Sequence, residues 1–437
     1  MRKGRSGRRR ALLLLVVLAL VALVPFSRLG RGPRVRRVQR GAGSGALRAG
    51  AAKAELAIPL PVPAVGYGLV RPEVSRVVLP VSARAVVLAS DDERVGLVTL
   101  DLLLADAGLV QAIRERVEGL GLSAVWIAAT HTHSSAGGFA WNPVAQVAAT
   151  GRIRPEVRAR VVEAVSRALG VAAATLRPVE ALAGVSELAA GTLSRDEFPD
   201  VDRRLTRVQL RGQAGPVAQL VILAAHPTLV ARPPPGLDPD WPGRLARAEE
   251  QEGEGVTLVL QGSVGNVSVQ RPPAGTEDAP EAFARGVADA MRSVPLQPTG
   301  PGLLHARLEV ALPGPDASRF VPWGLATLVE NVALWPWAPG WAELSELRIG
   351  GLRLLGVPVE TTAASGAVLE SAAGGARAVS LVNGYLGYVE PAERVARAAG
   401  ESHRQLFGPG LLEALRFGTE ATRAALRPAP EAARSSP

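Results

Sequence analysis

Cysteine is absent from all 437 residues. That absence excludes disulfides, thiolate nucleophiles and thiolate metal sites, so any metal must be held by His, carboxylate or phenolate. Lysine is nearly absent too: Lys3 and Lys53 are the only two among 49 basic residues, a mark of codon usage rather than of chemistry. Residues 1–40 contain no acid but twelve Arg or Lys; without them, 37 basic residues face 40 acidic ones. The net charge of +9 therefore belongs to the N-terminal arm, and a nucleic-acid partner is not indicated. No G-x-S-x-G elbow occurs, which argues against a serine hydrolase. No Lys-Ser/Thr follows Gly137-Gly138, so that glycine pair is not a phosphate loop. No internal repeat is visible, and no Pro/Ser-rich break splits the body of the chain.

The composition that remains, 47% hydrophobic and 20% charged, is that of a globular protein. At the N-terminus, basic residues 2–10 precede an apolar run at 11–26, a positive n-region followed by an h-region. Sixteen residues is long for a signal-peptide core and slightly short for a full span. No A-x-A site follows directly; the nearest, Ala52-Lys53-Ala54, lies far downstream. Residues 1–27 are therefore expected to be an uncleaved signal-anchor, with a cleaved signal peptide as the alternative. Either places the body outside the cytoplasm, anchored on the periplasmic side or secreted. Residues 28–55, rich in Arg, Gly and Ala, read as a basic linker, and the Pro/Ala/Ser tail at 428–437 as disordered.

Between 56 and 427 strand-like and helix-like segments alternate. Strands are expected at 95–104, 124–130, 206–210, 217–225, 256–260, 304–312, 347–359 and 378–382. Helices are expected at 109–120, 155–169, 280–294 and 410–426. Residues 95–130 read as a β–α–β unit with a parallel pair. The expected fold is a single α/β catalytic domain of mixed, partly parallel sheets flanked by helices, preceded by the N-terminal membrane segment.

The chain has five histidines, and two stand in Thr130-His131-Thr132-His133-Ser134-Ser135-Ala136-Gly137-Gly138. Chance would supply a His-x-His about 0.06 times in such a chain, so the pair is informative. Alternating side chains share a strand face; His131 and His133 would thus leave a buried strand side by side, as metal ligands or as an acid/base pair. Other polar groups also end apolar runs: His226 before Pro227-Thr228, Ser268 after Gly265-Asn266-Val267, Glu360 before Thr361-Thr362, and Tyr385 and Tyr388 in Asn383-Gly384-Tyr385-Leu386-Gly387-Tyr388. Strand ends are where α/β proteins place catalytic groups. His305 and His403 read as incidental.

In their order, these segments resemble the neutral/alkaline, non-lysosomal ceramidases. The family's T-H-T-H-S-G-P-G-G matches THTHSSAGG, its H-P-T matches His226-Pro227-Thr228, and its G-D-V-S-P-N resembles Gly265–Gln270. A glutamate with two threonines, an N-x-Y-x-x-Y-[VI] segment (Asn383–Val389) and an intact Leu406-Phe407-Gly408-Pro409 complete the set. The resemblance spans roughly residues 60–410 and covers the family's N-terminal catalytic domain. Only 27 residues follow Gly410, too few for its C-terminal immunoglobulin-like domain.

The resemblance implies a zinc-dependent amidohydrolase acting on linear amides of ceramide-like lipids, with Zn²⁺ held by His131, His226, Glu360 and Tyr388. Tyr385 competes with Tyr388 for the last place. It also implies that His133 donates a proton to the leaving amine, and that Ser268 and Arg195 lie near the substrate's polar head or oxyanion. Zinc chemistry agrees, since Zn²⁺ accepts these donors and a catalytic site keeps one position for water. The partners implied are an N-acyl lipid and the membrane. Three positions depart from the family pattern: Ser134-Ser135-Ala136 replaces S-G-P, Asn266 replaces Asp, and Gly400 stands where a tyrosine is usual. Two other readings stay open, a same-fold hydrolase of another envelope amide or ester and a non-catalytic lipid-binding relative.

Overall fold

A computed structural model describes residues 32–66, 71–271, 278–318 and 321–426, together with Val16 and Val24. Among the described residues, three five-stranded sheets form the body, with three two-stranded pairs beside them. The first runs, in spatial order, Ala124–Ala129, Glu93–Leu100, Ser82–Ser90, Arg48–Glu55 and Arg177–Pro178. The second runs Val256–Gln261, Gly215–Leu223, Arg204–Gly212, Glu180–Glu187 and Gln297–Pro298. The third runs Arg377–Val379, Leu352–Gly356, Trp341–Ile349, Leu303–Ala311 and Val35–Gly43.

Each sheet is antiparallel except for its first two strands, which pair in parallel. Those parallel pairs need a crossover, and each has one helix: Ala107–Val117, Asp240–Gln251 and Ala363–Ala372. A second helix follows each pair: Pro155–Ala174, Ala279–Arg292 and Leu411–Ala425. The chain thus repeats one arrangement three times, a repeat that the sequence does not display.

The strands are apolar on both faces because both are buried. Val86, Leu88, Leu220, Ile222, Leu347 and Leu354 turn to a central core shared by all three sheets. The opposite faces pack under their own helix pairs: Val87 with Ile113 and Val165, Val221 with Leu245 and Val287, and Leu344 with Leu369 and Leu415. The fold is therefore mixed α/β in one domain. Where the parallel edges meet, backbone bonds stitch them together: Ser380 N to Gln261 O (2.8 Å), Asn383 N to Ile127 O (2.9 Å) and Gly265 N to Thr361 O (2.7 Å).

The β–α–β unit expected at 95–130 is present. Two expectations are corrected. The stretch 28–55 is not a linker throughout, since Val35–Gly43 and Arg48–Glu55 are strands. The first of these is an exposed edge strand (VRRVQRGAG), and its arginines hide the strand pattern. The single strand expected at 347–359 is a hairpin, Trp341–Ile349 and Leu352–Gly356, turning at Gly350-Gly351. The apolar run at 11–26 lies outside the described residues apart from Val16 and Val24. Among the described residues no helix is long and apolar enough to cross a membrane.

Candidate metal centre

The carboxyl ends of the three parallel pairs converge, as ligand sites do in α/β sheets. Beyond Ala129 the chain leaves the first sheet, and His131 adopts a left-handed backbone, φ 69°, fixed by His131 N to Leu102 O at 3.0 Å. The two histidines are therefore not alternate residues of a strand, as expected, but members of a tight turn. They still meet: their ring centroids lie 4.9 Å apart at 86°. Gly137 closes that turn, since a Cβ there would overlap the carbonyl oxygen of Thr150.

His226 follows Gly215–Leu223, the strand beside the parallel edge of the second sheet, and its N–H donates to Val267 O at 3.1 Å. Glu360 and Tyr388 are direct partners in a two-residue parallel pair, so their side chains leave on one face. His131, His133 and His226 offer nitrogens all within 4.8 Å of one another. Glu360 joins them: its Oε2 lies 3.2 Å from His131 Nε2 and 3.1 Å from His226 Nε2.

The tautomers can be read from the partners. His131 Nδ1 faces Leu103 O at 2.7 Å and His226 Nδ1 faces Val267 O at 3.0 Å. A carbonyl can only accept, so Nδ1 carries the proton and Nε2 a lone pair in each neutral ring. Arg195 Nη1, which can only donate, stands 3.2 Å from His226 Nε2 and agrees. Glu360 Oε2 thus faces two lone-pair nitrogens at 3.1–3.2 Å. His131 Nε2 and Glu360 Oε2 are buried without a hydrogen-bond partner. Such a cluster is repulsive unless a cation or a shared proton occupies its centre. Ligand atoms at about 2.0–2.1 Å from a tetrahedral zinc would lie about 3.3 Å apart; the donor set fits the metal.

His133 differs. Arg232 Nη2 donates to its Nδ1 at 2.8 Å, which leaves the proton on Nε2. A nitrogen that carries a proton cannot ligate, so His133 presents an N–H to the site. Sequence reasoning missed Arg232, which sits in a proline-rich loop and belongs to no motif.

The two tyrosines have separate places. Tyr385 donates to Glu360 Oε1 at 2.7 Å, orienting the carboxylate. Tyr388 Oη lies 3.3 Å from His226 Nε2 and accepts from Arg195 at 2.6 Å and Arg404 at 3.4 Å. Glu401 holds Arg195 through Nε at 2.6 Å. Arg195 thus lies beside the histidines and Tyr388. Ser268 is half-buried on Val267–Val269; it neighbours the strand that holds His226 but makes no side-chain hydrogen bond to the cluster among the described residues.

Burial, then Arg195, depresses His226 to about 3, against opposition from Glu360. Burial, the two neighbouring imidazoles and Arg232 hold His133 well below its ordinary value, so it is neutral near pH 7. Burial works against the Glu360 carboxylate, and positive charge shared with His131 and His226 outweighs it, holding the group well below its ordinary pKa. Tyr388 is held protonated by burial and by Glu360, against the pull of Arg195 and Arg404.

The departures at 266 and 400 have structural reasons. Asn266 is buried; its Nδ2 donates to Asp200 O at 2.8 Å while its Oδ1 accepts from Ala363 N at 2.9 Å. An aspartate could make only the second bond. Gly400 has φ 59°, and a Cβ there would overlap Glu390 Oε1, so no tyrosine fits.

A cleft of about 850 Å³ leads to the centre. Tyr385, Tyr388 and Arg404 lie at its floor, and Trp141, Trp337 and Trp341 line its walls.

No protein-family model and no curated protein matches the chain. Solved structures that resemble it include two ceramidases. One is neutral ceramidase from Pseudomonas aeruginosa, with TM-score 0.77 and 20% identity over 87% of this chain and 74% of that one. The other is a ceramidase complexed with C2, with TM-score 0.77 and 18% identity over 87% and 75% of the respective chains. The chain has the neutral ceramidase fold.

Proposed function

We propose that this protein is a metal-dependent amidohydrolase of ceramide-like N-acyl lipids, working outside the cytoplasm with zinc as its metal. The observation that carries the reading is the meeting of three lone-pair atoms, with Glu360 Oε2 3.2 Å from His131 Nε2 and 3.1 Å from His226 Nε2. The fold, shared with two ceramidases, supports it.

His131 and His226 through Nε2, Glu360 through Oε2 and Tyr388 through Oη would hold the zinc. When bound, the metal would lower the pKa of a water and polarise the amide carbonyl. The protein's own groups do the rest. Leu103 O and Val267 O fix the imidazole tautomers, and Tyr385 turns the Glu360 carboxylate. Such outer partners tune affinity. Arg195 and Arg404 draw negative charge onto Tyr388 Oη. His133 points Nε2–H at the site, where it donates to the developing oxyanion or the leaving nitrogen. Full transfer of the Nε2 proton to the amine balances when the proton given up by the attacking water replaces it on Nε2, so the ring ends neutral and Arg232 keeps its contact at Nδ1. Ser268, half-buried beside the His226 strand, would contact the substrate's polar head.

The test is metal content together with turnover. Purified protein should carry one zinc per chain and cleave N-acyl amides in preference to O-acyl esters. Zinc content unchanged in both His131→Ala and His226→Ala would sink the proposal. Ester cleavage without amide cleavage would instead select an envelope esterase on the same fold. Metal binding without turnover on either class would leave a lipid-binding relative.

A further inference from the structure

The outer wall of the cleft carries an apolar face that the metal centre does not use. Helical residues 323–334 form Trp323–Val329 and the turn Glu330–Leu334. Leu325, Leu328, Val332 and Trp335 are exposed there, and their spacing of three, four and three puts them on one side of the helix. A surface helix ordinarily turns such a stripe inward; this one faces outward. Trp337 follows, and Asn142 Nδ2 donates to its carbonyl at 2.9 Å, bringing Trp141 alongside. Those two tryptophans stand on the walls of the cleft that ends at Tyr385 and Tyr388.

Two independent observations say what covers this face. First, Asn331 Nδ2 donates to Val24 O at 2.6 Å, so Val24 meets the folded body on this same helix. Second, exposed Arg36 and Arg37 of the strand Val35–Gly43 line the same cleft as Trp337; they share one acidic partner, Glu309, at 2.6 and 2.9 Å, and Arg36 stacks over Trp341 at 4.0 Å. Apolar side chains, tryptophans and a basic strip together make the composition of a surface that sits in a lipid interface. A second copy of the chain would cover the apolar stripe but would give no part to the arginines or to Val24 at Asn331.

We infer that this face docks on an anionic lipid bilayer, so that the cleft opens into the headgroup layer rather than into water. That the cleft then takes a lipid amide rests on the hydrolase reading above; the docking itself does not.

The absence of cysteine makes a clean experiment. Val332→Cys, and Val185→Cys as a control, would carry an environment-sensitive fluorophore in the full-length chain. Val185 is exposed on the second sheet and is not part of the cleft. Both proteins are bound to vesicles of brominated phosphatidylcholine with phosphatidylglycerol. The label at 332 should be quenched at least about twofold more than the label at 185. Equal quenching at the two positions overturns the inference, as does concentration-dependent shielding of position 332 without lipid, which would mean that a second copy covers it. Leu325→Asp with Val332→Asp should lower hydrolysis of a vesicle-embedded N-acyl amide about tenfold and leave a short soluble N-acyl amide unchanged. The two readings fail separately. Quenching at 332 without cleavage of any amide keeps the docking and removes the hydrolase; amide cleavage with 332 unquenched does the reverse.

Discussion

At the floor of the site, next to Tyr385 and Tyr388 of the cleft, His131, His226 and Glu360 are at most 1% exposed, and their orientations are set by carbonyls, a tyrosine and a left-handed turn. At its rim, Trp141 and Trp337 are 65% and 52% exposed and are held by hydrogen bonds through their backbones, Trp141 by Asp106 and Gln146 and Trp337 by Leu334 and Asn142. The floor is built from the ends of three sheets that share one core, so each ligand is as rigid as the fold. The rim is built from short helical turns outside the sheets. Chemistry that tolerates errors of a few tenths of an ångström sits at the floor. Selection of substrate, where shape and apolar area suffice, sits at the rim.

The comparison breaks most directly at the floor. Glu360→Gln replaces a lone-pair oxygen with an amide in a cluster that already lacks protons, and should abolish zinc binding and lower kcat/KM at least about a thousandfold. Metal analysis and amide hydrolysis check both. Retention of full metal content would show that the three histidines alone hold the ion and that His133 does ligate.

Arg232→Met should keep the zinc but lower kcat about tenfold to a hundredfold. It removes a cation whose field depresses His133, so the His133 pKa should rise, and the pH profile of kcat/KM should shift upward with it. An unchanged profile would mean that Arg232 only packs. Tyr388→Phe and Tyr385→Phe separate the tyrosines. The first should weaken zinc binding about tenfold or more; the second, which only releases Glu360 Oε1, should weaken it less.

The floor should also set the acid limit of the metal-free protein. His226 has a folded pKa of about 3 against about 6.5 unfolded. The unfolded chain therefore binds more protons between those values, and stability is full above about pH 6.5 and falls as pH drops toward 3. The loss is on the order of several kcal/mol, measurable by urea unfolding at a series of pH values. Zinc should remove most of it down to the pH at which protons displace the metal.

Legibility in the sequence follows the same division. His131, His133, His226, Glu360 and the tyrosines were readable because rare residue types ended apolar runs, and because the β–α–β pattern around 95–130 is local. Arg232 was not, since its partner His133 is 99 residues away and nothing near it repeats a motif. The threefold arrangement was hidden for a different reason. The corresponding strand ends are Leu100, Leu223 and Gly356, and burial asks them only to be small or apolar, so topology repeats while residues do not. Val35–Gly43 escaped because an exposed edge strand rich in arginine has no apolar alternation to show. The hairpin at Trp341–Gly356 merged into one strand because both arms are buried, and only Gly350-Gly351 marks the turn.

The smallest expected effect belongs to the rim. Trp337→Ala removes an exposed ring whose backbone carbonyl, not its side chain, accepts the Asn142 bond. Stability should therefore change by no more than about 0.5 kcal/mol, and zinc content not at all. KM for a long-chain N-acyl amide should rise severalfold while kcat holds, because the ring supplies apolar contact equally to ground and transition states. A short-chain amide that does not reach the rim should be cleaved at the wild-type rate. A fall in kcat on the short substrate would mean that the rim and the floor are mechanically coupled, and that the rigidity attributed to the three-sheet core extends to the cleft mouth.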